Sequence, residues 1–401
     1  MAVMMAFFKK SVFCFYLTLI GCAGLSFAKE PEGNPFYATS ELFDFSQPES
    51  LGLVFAKHTI TNTVYKPSGD SDQYANGAVL MGFKGYLYAQ WQSSNRDEDS
   101  ADTWVAYSRA LGGNNWSSPL VLAPTLDNGM RTSGGWWTDG ETLVAYVNVW
   151  PKELKPKAGY TEYRLSQDGV RWSEPKRVLA NTGQPVDGVF EQDVHALPNG
   201  RIISAFHQPP GLKVAPYFTD DRLGIAGWTK GEMANLPFNK NTSREIEPSW
   251  FYRADGNPVM VFRDQASTFK KLASISRDNG KTWTKPTVTN FPDSRSKQCA
   301  GNLPDGTAYL VNNPSHNKTR IPLVISLSKN GREFNKAYLL RSGGADLQPM
   351  RFEGQYKRIG YSYPKAVVWQ NALYVAYATN KEDVQVTRVP LESLVGTSTR
   401  R

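Results

Sequence analysis

A short turn-like motif recurs along this chain at nearly constant spacing, and that recurrence restricts the possible folds more than any other feature. Its fullest copy is SRDNGKTW at residues 276–283. SQDGVRW at 166–172 is one residue shorter, and looser copies are SRALGGNNW from Ser108, TDDRLGIAGW from Thr219 and LSKNGREF from Leu327. The closing aromatics, Trp116, Trp172, Trp228, Trp283 and Phe334, are 56, 56, 55 and 51 residues apart. A fixed period of this size marks a repeat architecture. Within the box, Gly280 takes a positive φ that other residues resist. Ser276 and Asp278 suit hydrogen bonds from nearby backbone N–H groups, and Trp283 is placed to pack between neighbouring sheets. These roles are structural.

A second signal runs in phase with the first. Turns at Gly85, Gly140, Gly200, Gly256 and Gly306 precede the boxes, flanked by β-rich runs such as ETLVAYVNVW and PVMVF. Asp-Gly and Asn-Gly favour the tight turns of antiparallel hairpins. NALYVAYA, residues 371–378, adds a sixth unit without a box. Each period reads as three strands, a boxed turn and a fourth strand, and about six such units predict an all-β fold, a β-propeller of four-stranded blades. LGLVFAKHTI, from Leu51, is expected to supply the last strand of the final blade and close the ring. No stretch sustains a helical apolar period.

The N-terminus differs from the rest. Lys9 and Lys10 precede an apolar run ending in SFA at Ala28, the pattern of a secretory signal peptide. LIGC, ending at Cys22, resembles a bacterial lipobox and offers a lipid anchor as the alternative. The run is shorter than the ~20 residues of a spanning helix. The expected organisation is a leader over 1–28, a linker over 29–48, one propeller domain over 49–393 and a tail over 394–401. The protein is expected to be exported, to the periplasm, the outer membrane or the medium, as a monomer. Cys14 and Cys22 fall in the leader, so Cys299 remains alone and no intrachain disulfide can form in the mature chain.

The formal charge is +8, or about +6 without the two leader lysines, a balance that suits anionic ligands. No Lys/Arg block interleaved with aromatics points to nucleic acid. The four histidines have no metal-ligand spacing, and neither a metal nor another cofactor is expected.

The boxes and the glycine turns fall at one face of the propeller, so the opposite face is sampled by fixed offsets from the turns. Nine residues before each turn lie Asn76, Arg131, Glu191, Glu247, Lys297 and, in the sixth unit, Ser362 beside Tyr361. Seven residues after lie Gln92, Val147, His207, Arg263, Asn313 and Ala378. Most are polar although they belong to inner strands. Buried polar groups are costly unless paired, so the ring predicts a polar pocket at the axis, or a water-filled channel of mutually satisfied side chains.

With its boxes and its GYSYP segment, the chain resembles the sialidase superfamily, whose propellers carry these Asp-box (BNR) repeats, over roughly residues 70–392. The resemblance implies a glycosidase with a tyrosine nucleophile, Tyr361 in GYSYP, and a glutamate partner, Glu247 in EPSWFYRADG. It implies arginines on the sugar carboxylate: Arg263 in VFRD and Arg320 in TRIPLVISLS match the second and third, while Ala75 stands where the first belongs. The acid/base carboxylate falls to Asp97 or Asp99 in NRDEDSAD. The expected function is an exo-glycoside hydrolase acting on a terminal anionic sugar, with Arg131, Gln92, Asn76 and His195 as further substrate contacts. Two alternatives use the same residues. Related propellers, the ulvan lyases, cleave beside uronic acids by β-elimination; here His207 would be the base, with Arg263, His195 and Tyr361 around it. The third reading is a non-catalytic glycan-binding propeller.

Overall fold

The computed structural model describes residues 33–395. The leader, its alternative anchor Cys22 and residues 396–401 lie outside the described residues.

The chain forms six antiparallel sheets arranged as the blades of a propeller. Strands Tyr74–Phe83, Tyr86–Ser94, Trp104–Leu111 and Leu120–Ala123 make blade 1, and the pattern repeats through blade 5. In blade 3 the inner strand is broken into Val189–Phe190 and His195–Ala196. Blade 6 takes Tyr361–Trp369, Ala372–Thr379 and Asp383–Pro390 from the C-terminal end of the described chain, and its fourth strand from the N-terminal side. That closing strand is Ile60–Tyr65, antiparallel to Asp383–Pro390. It begins where the expected LGLVFAKHTI segment ends. Pairing the two ends of the domain in one sheet closes the ring and leaves no blade face uncovered, as the end blades of a linear array would have.

The expected linker is not free chain. Phe36 is fully buried among Phe251, Phe291 and Phe334, and Tyr37–Ala38 pairs in parallel with Glu333–Phe334. An aromatic side chain of this size gains more from such a slot than its ordering costs. At the other end, Leu394, expected in the tail, is buried in the short helix Leu391–Val395.

The core is divided into six clusters, each lying between adjacent blades. The aromatic of every box packs onto the preceding blade. Trp228 meets Phe190, Phe206 and Tyr146, Trp172 lies edge-on to Tyr107, and Phe334 packs on Phe251 and Phe291. The box turns of blades 2, 4 and 5 share one pattern of bonds from a serine and an Asp or Asn two residues on. Ser276 Oγ accepts from the Gly280 N–H at 2.9 Å, and Asp278 Oδ1 accepts from the Thr282 N–H at 2.8 Å. In blade 5 Asn330 Oδ1 does the same work, accepting from the Arg332 and Glu333 N–H groups. Glycine is required twice over at Gly224: its φ is +63°, and a Cβ there would come within 2.7 Å of the Tyr146 hydroxyl on the preceding blade.

Because Asn330 serves where aspartate is usual, the acceptor oxygen matters more than the charge. Asp278→Asn is expected to leave the urea unfolding midpoint within experimental error. Asp278→Ala, which orphans the turn, is expected to lower stability by about 1–3 kcal/mol. Equal losses in the two variants would disprove this account.

Candidate active site

At the end of the propeller away from the boxes, the inner strands depart from regular pairing. Register shifts fall between Asn76 and Val79, Ser133 and Gly135, Ile246 and Ser249, and Ser362 and Lys365. Blades 1 and 2 place glycines there in the left-handed region, Gly77 and Gly135. Blades 4 and 6 instead place Glu247 (φ 54°) and Tyr363 (φ 56°). Each is followed by a proline, which has no N–H to give to a sheet and is tolerated in strands chiefly at bulges and edges. A bulge re-aims the side chain, and a non-glycine residue held at positive φ stores strain that the surroundings must support. At Glu247 that support is explicit. Its N–H donates to His207 Nε2 at 3.2 Å, and its carbonyl accepts from Gln298 Nε2 at 2.7 Å.

The two re-aimed side chains meet at one guanidinium. Arg263 Nη1 donates to Glu247 Oε2 at 3.1 Å and to the Tyr363 hydroxyl at 3.2 Å. Three more cations surround the phenol ring: Arg320, Lys297 and Lys381 lie 5.0, 5.3 and 5.6 Å from its centroid. Burial alone would raise the Glu247 pKa, but the charges of Arg263 and Lys297 outweigh it and hold the carboxyl down to about 2. Tyr363 is pushed well above the ordinary phenol value by burial and by the Glu247 charge, against the pull of Arg263. An ionised carboxylate and a neutral phenol therefore share one arginine.

Two cavities meet at Tyr363 and Glu98, which line both. The axial one, about 240 Å³, is bounded by Gln92, Asn148, Glu191, His207, Glu247 and Lys297, among others. The second, about 180 Å³, is lined by Arg263, Arg295, Arg320 and Lys381, with Lys318 and Arg358 at its mouth. Burial pulls Lys381 down to about 8, and its partner Glu98 opposes the shift. Lys381 is a neighbour of the Tyr74–Ala75 segment: the Ala75 N–H donates to the Lys381 carbonyl at 3.0 Å, and the ammonium lies 6.0 Å from the Tyr74 ring centroid.

The axial cavity is floored by buried ion pairs. Lys297 Nζ is 2.8 Å from Glu191 Oε1, Lys365 Nζ is 2.8 Å from Asp193 Oδ2, and Asp193 Oδ1 is 2.7 Å from His195 Nε2. Beyond this plug lies a separate cavity of about 360 Å³ that contains His195. The pocket and the channel of satisfied side chains, alternatives from sequence, thus occupy successive levels of the axis.

Among the residues expected from sequence, Glu247, Arg263 and Arg320 come together, and Gln92 and His207 line the adjoining cavity. Others lie elsewhere. Tyr361 is fully buried between blades 5 and 6 and donates its hydroxyl proton to the Ser342 carbonyl at 2.8 Å. The tyrosine at the arginine is Tyr363. Asp97 accepts from the Gln355 N–H at 2.6 Å and is turned to that loop, while Asp99 does line the axial cavity but is paired with Lys157, 2.7 Å away. The carboxylate between them, Glu98, is the one facing Tyr363. Arg131 donates to the carbonyls of Pro124 and Thr125, Asn76 is buried beside Tyr74, and His195 lies beyond the plug. His207 already uses Nε2 as an acceptor for the Glu247 N–H, so its proton is on Nδ1 and no lone pair faces the cavity. The missed tyrosine had a sequence signal: Glu247-Pro248 and Tyr363-Pro364 are equivalent dipeptides, and aligning blades 4 and 6 on proline selects Tyr363.

This arrangement sits in a recognisable scaffold. The chain belongs to the BNR repeat-like domain family, whose sequence profile matches residues 85–375. Among solved structures it is similar to a protein of unknown function from Dyadobacter fermentans (15% identity, TM-score 0.63, 83% of this chain and all of that one). It is also similar to the Hadza microbial sialidase Hz136 (15%, 0.65, 84% and 69%) and to the intramolecular trans-sialidase of Ruminococcus gnavus, solved with oseltamivir carboxylate (12%, 0.60, 82% and 97%). At these identities the likeness is one of fold: the protein is a sialidase-like propeller. No curated protein sequence matches it.

The lowered pKa of Glu247 makes a linkage prediction. The value is about 4.5 when unperturbed and about 2 in the fold. The carboxylate's contribution to stability is therefore complete above about pH 5 and is lost as pH falls towards 2. The wild type should lose on the order of 3 kcal/mol more than Glu247→Gln over that interval in urea titrations. Parallel losses would refute the assignment.

Proposed function

We propose that the protein is a glycoside hydrolase acting on an anionic sugar, with Tyr363 as the nucleophile. The observation that carries this reading is the Arg263 guanidinium held between the ionised Glu247 and the Tyr363 hydroxyl. A phenol needs a base to become nucleophilic near neutral pH, and Glu247 is that base. Arg263 stabilises negative charge on the phenol oxygen as it forms, in a site where burial makes the contact stronger than in water. The oxygen attacks the anomeric carbon, and the bond to the leaving oxygen breaks. The proton that the leaving oxygen needs comes from the Glu98–Lys381 pair, which faces Tyr363 from blades 1 and 6. Water then attacks the anomeric carbon, giving up a proton to the same pair, as the carbon–tyrosine bond breaks and the phenolate recovers its proton from Glu247. A tyrosine nucleophile is one of the known exceptions to the two-carboxylate scheme.

The anionic group of the sugar is assigned to Arg263 and Arg320, whose planar forks match a carboxylate or a sulfate. No comparable support exists for elimination, because His207 has no free lone pair to serve as its base.

Screening against aryl sialosides and aryl uronides is expected to give release of the aryl group together with a reducing sugar, without the ultraviolet absorbance of an unsaturated uronate. Tyr363→Phe should lower kcat by roughly 10³-fold or more. Tyr361→Phe, which loses only the bond to Ser342, should keep kcat within a few-fold and reduce stability by about 0.5–1.5 kcal/mol. If Tyr363→Phe retains turnover, or Tyr361→Phe abolishes it in folded protein, the assignment is wrong.

A further inference from the structure

The cavity beside Tyr363 carries more positive charge than one acidic group requires. Six cationic side chains line it, against one carboxylate, Glu98. Two of them are neutralised internally, Arg263 by Glu247 and Lys381 by Glu98. The other four have no carboxylate at salt-bridge distance among the described residues. Arg295 donates to Gln265 Oε1 at 3.3 Å, Arg320 to Ser362 Oγ at 2.6 Å and Arg358 to the Lys357 carbonyl at 2.7 Å, all neutral acceptors. Arg295 Nε is buried without an acceptor.

These four form two tiers. Arg320 is buried and Arg295 half-buried beside Arg263, whereas Lys318 and Arg358 are exposed at the mouth, as is Tyr356. Burial and the nearby Arg263 both push the pKa values of Arg295 and Arg320 down, the direction expected where cations are crowded without counter-charge. One acidic group on the inner tier offsets one charge. It leaves three of the four cations unmatched, the exposed pair at the mouth among them.

We propose that Lys318 and Arg358 form a second anion subsite, so that the ligand of this cleft is an acidic oligosaccharide with negative groups on neighbouring units. The inner group lies on Arg263 and Arg320 beside Tyr363, and the outer one lies at the rim. The proposal rests on the reading of Tyr363 as the centre of a sugar site, but it concerns binding and not turnover. Exposed cations are screened by salt and each contributes modestly, so the outer subsite should respond to ionic strength more than the inner one does.

Calorimetric titration of the whole protein tests this with galacturonate, glucuronate and their α- and β-linked dimers, at about 50 and 300 mM salt. At low salt at least one diuronate is expected to bind about five- to tenfold tighter than its monomer. The advantage should shrink at high salt and vanish in a Lys318→Ala/Arg358→Ala double variant, with monomer affinity unchanged. Equal affinity for monomers and dimers, no binding of either, or an advantage that survives in the double variant overturns the second subsite. Retained turnover in Tyr363→Phe would overturn the nucleophile assignment while leaving this difference in affinity intact, so the two failures are separable.

Discussion

Everything in this fold depends on each blade burying one face against the next. A four-stranded antiparallel sheet alone has two faces to cover and two edges to protect. Here each interface is filled by the aromatic residue of a boxed turn, Trp116, Trp172, Trp228, Trp283 or Phe334, and the sixth interface closes without a box. The apolar burial is thereby spent between blades, away from the axis. What remains at the axis is a ring of inner-strand ends of mixed character, and polar side chains can stand there if they satisfy one another. The buried pairs of Lys297 with Glu191 and Lys365 with Asp193 do so.

Above that plug the balance of charge changes sign of purpose. Carboxylates and cations no longer cancel, and Arg263 divides its donors between a carboxylate and a phenol. The strained backbones of Glu247 and Tyr363 make this possible, since regular alternation would not aim both side chains at the same guanidinium. Rigid neighbours hold the strain: His207 and Gln298 satisfy the Glu247 backbone, and Lys271, itself paired with Asp293, holds Gln298. A histidine that sequence suggested as a base is thus a positioning residue for the glutamate beside it.

The repeat carried the fold to the level of blade number and strand order, and it placed Glu247 and Arg263 on one face, while Arg320 came from the family resemblance. It failed at single-residue register. Counting back from the sixth hairpin selected Ser362 and its neighbour Tyr361, because a fixed offset assumes identical strand lengths and no bulges. Asp97 and Asp99 were chosen over Glu98 for a related reason, since residue type favoured aspartate while loop conformation turned Glu98 inward. Lys381 had no sequence signal at all. It belongs to the last blade yet stands beside Tyr74 and Ala75 of the first, a neighbourhood that exists only because the ring closes.

The sequence by itself determined the architecture, because a period of about 55 residues with hairpin and box signals in phase leaves few ways to bury the aromatics. It also determined that the axis would be polar. Only the tertiary structure decided which tyrosine and which carboxylate reach the centre and which cations stand unmatched around them. Those outcomes depend on bulges that shift side-chain direction by one residue, marked locally only by the prolines after Glu247 and Tyr363, and on contacts between blades hundreds of residues apart, which leave no local mark that composition or spacing can register.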